Sequence, residues 1–294
     1  MKRAIVTPLW LILFCLGCAG HRQMHTRAAI TTVHIAREAG LTDTQKQQVA
    51  NLCFMGMPTK RATDLGPTEY IYRDGYVLEH SSVDKIPFWV CEHVKSTQLG
   101  SDTERSNQFK TDDALKGPRS TPADYSGTGY DRGHQAPAGN QGKDQRLQNE
   151  TFFMSNMSPQ LPQLNRNSWK SLEELSRTWV TKYSEAYEFT GPIFYDPKED
   201  NSATADGTLT YYTIGAGVAV PTHFYKIIIV KDGGAWKAIA FVMPNVATYK
   251  PPFHLEQYIQ SVSWVEDHTG LNFMPDLTAA QRAQLKSSKS DMWP

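Results

Sequence analysis

One polar stretch of the chain reads Tyr130-Asp131-Arg132-Gly133-His134-Gln135-Ala136-Pro137-Ala138-Gly139-Asn140. A histidine exchanges a proton near neutral pH, and a nearby arginine can hold a phosphate through paired N–H donors. Asp131 could orient the ring or brace the loop, and Gly133 permits a close backbone approach. By itself the string could equally be a charged surface turn.

A second group lies downstream. Asn165, Glu173 and Arg177 are spaced by eight and four residues, which on a helix suggests one shared face. At 1.5 Å per residue, Asn165 and Glu173 stand roughly 12 Å apart along the axis, too far for both to ligate one ion directly. One direct ligand plus a carboxylate acting through water fits better, and magnesium tolerates so sparse a protein shell. Zinc would want three or four His, Cys or carboxylate ligands, a set the sequence does not assemble. Taken without Asn165, Glu173 and Arg177 read as an ordinary ion pair on a helix face.

The elements that must carry these residues are legible in outline. Thr42-Asp43-Thr44-Gln45 has capping-box form and opens a short helix to about Leu52. Residues 70–94 read as strands, with an Asp74-Gly75 hairpin signal between them, Tyr76–His80 after it, and Phe88–Val94 as the second strand. From Ser96 to Asn149 the chain is polar and rich in Gly, Pro, Ser and Asp, a length that implies function or disorder. Trp169, Leu172, Leu175, Trp179 and Tyr183 recur at helical spacing, giving an amphipathic helix from about Asn165 to Tyr183. Strands follow at Glu188–Phe194, Leu209–Ile214, Phe224–Val230 and Trp236–Val242, then a final helix at Val262–His268. Tyr211, Tyr212, Trp236 and Trp264 are assigned to the core. The pattern suggests a single α+β domain over 42–294.

Composition narrows the function classes little. The chain has 294 residues, 40% of them hydrophobic, and a formal net charge of zero. Bulk charge therefore does not hold it to nucleic acid, although a local basic cleft remains open. Lys2, Arg3 and the apolar run Leu9–Leu16 read as an export signal over 1–18, too short to span a bilayer. It ends in Leu16-Gly17-Cys18, similar to a bacterial lipoprotein signal with a lipid anchor at Cys18. Simple cleavage after Ala19 is the rival reading. Residues 19–41 read as a tether, in which His21 and His25 have metal-pair spacing but no third ligand. An exported protein, whether periplasmic, an outer-membrane lipoprotein or secreted, would pair its two remaining cysteines as Cys53–Cys91; two separate buried thiols are the alternative.

The string DRGHQAPAGN, followed by FFMSNMSPQ and LNRNSWKSLEELSR, closely resembles the DNA/RNA non-specific endonucleases. GPIF at 191–194, HFYKIII at 223–229, AFVMPN at 240–245 and WVEDHTGLNF at 264–273 extend the resemblance over roughly Tyr70–Leu277. It implies the ββα-metal nuclease fold, a mixed, mostly antiparallel sheet flanked by helices, in which a hairpin presents the histidine and the next helix the asparagine. It further implies His134 as general base, Asn165 as the one direct ligand to Mg2+ (with Mn2+ as substitute), and Glu173 holding a water of the ion's shell. Arg132, Arg177 and Arg105 would contact phosphate, and Asp131 would be structural. The implied reaction is endonucleolytic hydrolysis of DNA and RNA. If the ion stabilises the departing 3′ oxygen, the products carry 5′ phosphates. Contacts aimed at phosphate imply weak sequence preference. A surface-anchored nucleic-acid-binding or uptake protein without cleavage is the alternative, and a homodimer is one open oligomeric state. The glycines at 127 and 129 lack the partners a nucleotide loop requires.

Overall fold

The run His223–Asp232, HFYKIIIVKD, is apolar on both faces, as a strand covered on both sides must be. Its neighbours have the same character, and together they form the central sheet. The computed structural model describes residues 40–60, 66–200 and 211–294. Within it Asp43–Pro294 packs as one unit. The expected export signal, Cys18, the His21/His25 pair and nearly all of the tether lie outside the described residues.

The elements in chain order begin with helix α1 (Asp43–Leu52) and the short strand β1 (Thr59–Lys60). Strands β2 (Thr68–Tyr72), β3 (Val77–Ser81) and β4 (Pro87–Lys95) form a meander. Then come β5 (Asp131–His134), α2 (Gln145–Glu150) and β6 (Met157–Gln160). A π-helical turn, Leu164–Trp169, runs directly into α3 (Lys170–Tyr183). The second half contains β7 (Glu185–Ile193), β8 (Tyr212–Ile214), β9 (Val218–Val220), β10 (His223–Asp232) and β11 (Ala235–Pro244). It closes with β12 (Ile259–Gln260), α4 (Val262–Thr269), β13 (Leu271–Asn272) and α5 (Ala279–Lys286).

Seven strands make the main sheet in the order β12-β11-β10-β7-β4-β3-β2, and every pairing is antiparallel. Trp169, Leu172, Trp179 and Val180 carry the helical stripe onto one face, against Val94, Phe224, Ile228 and Phe241. The fold is thus α+β with a helix-flanked antiparallel sheet, as expected. Cys53 at the end of α1 and Cys91 in β4 form a disulfide with Cα atoms 5.3 Å apart.

One expectation is corrected. Tyr211 and Tyr212 are not core: they are 39% and 74% exposed, because β8 belongs to a small surface ladder with β9 rather than to the main sheet. The polar stretch 96–149 is ordered, since buried or half-buried side chains satisfy its backbone. Glu69, for example, accepts from the Lys116 and Gly117 N–H groups at 2.8 and 2.6 Å.

Candidate active site

β5 and β6 form a two-stranded antiparallel ladder that sets His134 opposite Met157 and Gly133 opposite Ser158. Asn156 closes the long excursion between the two strands. Its side chain accepts from Ala136 N–H at 2.9 Å and donates to the Ala136 and Thr151 carbonyls, each at 2.9 Å. Its own carbonyl accepts from Gln135 N–H at 3.0 Å. The backbone just after His134 is thereby fixed. At the other end of β6, Asn245 accepts from Leu161 N–H at 2.8 Å and donates to the Pro159 and Pro221 carbonyls. The hairpin and the helix after it are thus tied to the edge of the large sheet.

Gly133 has a steric reason. A Cβ there would lie 2.6 Å or less from three side-chain atoms of Gln160, which is fully buried and cannot swing away. Gly133→Ala is therefore expected to shift β5 against β6. A displacement near 1 Å at a catalytic group costs on the order of 100-fold in rate, with a stability loss of about 1–3 kcal/mol from overpacking. Steady-state kinetics beside a thermal melt checks this; unchanged kcat would show that the strand position is not critical.

His134 is 8% exposed, with its ring edge-on to Phe152 at 4.8 Å between centroids and tilted against Phe109 at 5.8 Å. Its Nε2 is buried without a hydrogen-bond partner. Burial, aided by the positive charge of Arg105, pushes its pKa down to about 3, so the ring is neutral near pH 7. Asp131 does not touch this ring. It accepts from Asn165 Nδ2 at 2.9 Å and from Arg166 through Nε and Nη2 at 2.7 and 2.6 Å. Partial burial opposes its ionisation, but these hydrogen bonds and the charges of Arg166 and Arg132 outweigh that and hold its carboxyl below the usual range. Because the Asn165 amide nitrogen is committed to Asp131, its Oδ1 points away as an uncommitted acceptor.

The expected shared helix face is reached by a route that simple helical spacing does not give. Eight residues of α-helix make about 2.2 turns, which would leave Asn165 about 80° round from Glu173. The π turn Leu164–Trp169 is wider, with i→i+5 hydrogen bonds, and takes up the surplus rotation. Both residues therefore line one cleft. Arg177 donates to Asn140 Oδ1 at 3.4 Å, and the helix-face ion pair is instead Lys170–Glu174 at 3.7 Å. Burial pushes the Glu173 carboxyl up to about 7, against the lowering influence of Lys226 and Arg177.

The cleft encloses about 590 Å³ and brings together all six expected residues, Arg105, Arg132, His134, Asn165, Glu173 and Arg177. Arg166 and Lys170, which the sequence did not single out, also line it, so five cationic side chains face two carboxylates, Asp131 and Glu173. A neutral chain thus carries a locally basic site. Arg132 is held by the Pro122 carbonyl at 2.8 Å and lies over the Phe109 ring at 5.0 Å. Beneath Glu173, on the sheet face under α3, lies a buried charged group. Lys226 Nζ is 2.6 Å from Glu188 and 2.8 Å from Thr190 Oγ1, and Glu188 also accepts from Ser176. Glu92 stands directly across from Glu188 in the β4–β7 ladder.

Among the described residues no group of three or more His, Cys, Asp or Glu could hold a metal. The donor set is one free amide oxygen and a carboxylate within a single cleft. That set does not fit zinc, and it fits a hard divalent cation that keeps most of its water.

A histidine on a hairpin strand, facing an asparagine and a carboxylate on the helix that follows, defines the ββα-metal class of nuclease folds. The chain belongs to the DNA/RNA non-specific endonuclease family, whose profile matches residues 57–280. It is 38% identical to mitochondrial endonuclease G of Homo sapiens over 213 residues, 70% of each chain. It is 39% identical to nuclease C1 of Cunninghamella echinulata var. echinulata over 236 residues, 75% of this chain and 91% of that one. The solved structure of an EndoG/EndoGI complex, described as revealing the mechanism of EndoG inhibition, matches with a TM-score of 0.70 and 32% identity. The match covers 83% of this chain and 95% of that chain. The chain is accordingly a nuclease of a metal-dependent family.

The expected periplasmic, outer-membrane or secreted location is corrected by these comparisons. Endonuclease G and the related nucleases of Schizosaccharomyces pombe, Danio rerio and Saccharomyces cerevisiae are named as mitochondrial proteins. The apolar run at the N-terminus indicated a targeting segment by composition alone, and composition does not fix the compartment.

Proposed function

We propose that the chain is a magnesium-dependent endonuclease that hydrolyses DNA and RNA without sequence preference and leaves 5′ phosphates. One observation carries this reading: a neutral, buried histidine and an uncommitted asparagine oxygen share a cleft whose other charged groups are mostly cationic. Binding alone would need neither the histidine nor the asparagine. His134 takes the proton of the attacking water, and Phe109 and Phe152 hold its ring dry and fixed in direction. Arg132, Arg177 and Arg105 neutralise the charge that grows on the phosphate oxygens. Asn165 Oδ1 would hold the cation directly and Glu173 through water, while Asp131 keeps the amide oxygen turned toward it. When bound, the cation supplies charge neutralisation and stabilises the departing 3′ oxygen. Among the described residues no base-reading element lines the cleft, in keeping with weak sequence preference.

Digestion of plasmid DNA and of RNA, with magnesium and with a chelator, tests the activity. End-labelling before and after phosphatase treatment tests the product polarity, and 5′ hydroxyl ends would overturn the leaving-group assignment. Asn165→Ala is expected to raise the magnesium concentration for half-maximal rate by at least about ten-fold and to lower the maximal rate with it. Metal titration followed by calorimetry on the uncut protein checks the same change without activity. If both remain as in the wild type, the cation is held elsewhere.

A further inference from the structure

At Arg105 the catalytic cleft meets a second cavity of about 280 Å³, lined among the described residues by polar side chains. Arg105 lines both; Glu104, Lys110, Gln145 and Asn149 line the second. The segment between is pinned at each end. Gln145 exchanges hydrogen bonds of 3.0 Å with the Glu104 backbone N–H and carbonyl. Lys110 N–H donates to the Phe152 carbonyl at 3.1 Å, and Met154 N–H donates to the Lys110 carbonyl at 2.8 Å. Neighbouring side chains on extended backbone point to opposite sides. Phe109 accordingly faces the catalytic cleft and Lys110 the second cavity, so 105–110 forms a ridge between them. Arg105 Nε is held by Asn107 Oδ1 at 3.0 Å. Its guanidinium lies over the Phe152 ring at 5.1 Å, and among the described residues neither its terminal nitrogens nor the Lys110 ammonium make a hydrogen bond or ion pair.

We propose that the second cavity is a phosphate subsite, in which Lys110 holds a backbone phosphate of the same nucleic-acid strand next to the one at Arg105. The proposal rests on the nuclease reading of the neighbouring cleft. A rigid ridge with a free cation on each flank suits consecutive charges of one polyanion. The amides of Gln145 and Asn149 offer both donors and acceptors to sugar or base edges without demanding a sequence. Among the described residues Glu104 is the one carboxylate lining the cavity, and it opposes an anion there.

The test is fluorescence anisotropy of the full chain with a single-stranded 12-mer in chelator, across a salt series, beside hydrolysis of bis(p-nitrophenyl) phosphate with magnesium. That small diester occupies the catalytic cleft alone. Lys110→Glu is expected to weaken 12-mer binding about three- to ten-fold and to lower the salt slope by about one phosphate contact. Lys110→Arg should retain wild-type binding and Glu104→Gln should tighten it, while all three leave hydrolysis of the small diester unchanged. Equal 12-mer affinity and salt slope for wild type and Lys110→Glu would overturn the subsite, as would wild-type protein that does not bind the 12-mer. A chain that binds as expected but cuts neither substrate keeps the subsite and removes the nuclease reading instead.

Discussion

Replacing His134 with alanine is expected to lower kcat on DNA and RNA by on the order of 10²- to 10⁴-fold, the usual contribution of a positioned general base. The protein should stay folded, because the backbone on both sides of the residue is held by Asn156 and by the ladder with β6. The deletion leaves a small aromatic-walled space against Phe152 and Phe109 that free imidazole can enter. Partial recovery of rate with added imidazole would therefore separate loss of the base from general damage. A variant that keeps magnesium-dependent cutting within ten-fold of wild type would exclude His134 as the base.

The same residue has a stability signature. Its folded pKa, about 3, lies below the ordinary 6.5, so between those values the unfolded chain binds more protons than the folded one. Stability attributable to the neutral ring is complete above about pH 6.5 and is lost as pH falls toward 3. His134→Ala should flatten that part of the melting temperature–pH curve. An unchanged slope would mean that the ring is not held neutral in the fold.

The second large effect is expected away from the cleft. Lys226→Met removes the cation from beneath Glu173 while roughly keeping the stem's shape. It leaves Glu188 without its partner at 2.6 Å and facing Glu92 across the β4–β7 ladder. Removing one member of a buried ion pair costs about 3–5 kcal/mol, because the remaining charge has nowhere to go. For a chain of this size that corresponds to a fall in Tm on the order of 10 °C. Burial and Glu188 already push the Glu92 carboxyl up, so this side of the sheet holds more acid than its single lysine can balance. Lys226→Met with Glu188→Gln should regain much of the loss. Should the single variant melt within 1–2 °C of wild type, the group is not ionised as its geometry indicates.

The contrast between these two residues shows what the sequence could convey. His134, Asn165 and Glu173 belong to a short span whose residue types and intervals already suggest chemistry, and the family resemblance gives that span a fold. The meander, the stripe of α3 and most strands of the second half follow from turn signals, short apolar runs and helical periodicity, which are local properties. Lys226 sits in HFYKIII, where it resembles any solvent-reaching lysine of a strand. Only the pairing of β10 with β7 places it opposite Thr190 and diagonal to Glu188. Arg166 carries no such local signal, because its partner Asp131 lies thirty-five positions away. Lys110 was hidden for a different reason, because an irregular ridge has no periodicity to announce which side chain faces which hollow.

The wide turn at Leu164–Trp169 makes the interval between Asn165 and Glu173 a dimension rather than a signature. Beyond the packing of Leu164 and Trp169 and the Arg166 clamp on Asp131, what the turn delivers is rotation. Restoring ordinary helical pitch while keeping the eight-residue interval would carry the asparagine oxygen about 80° around the axis, out of line with the glutamate. The Asp131 clamp would then hold an amide aimed at the wrong wall. The interval and the pitch of the turn are therefore matched to each other, and neither can change without the other.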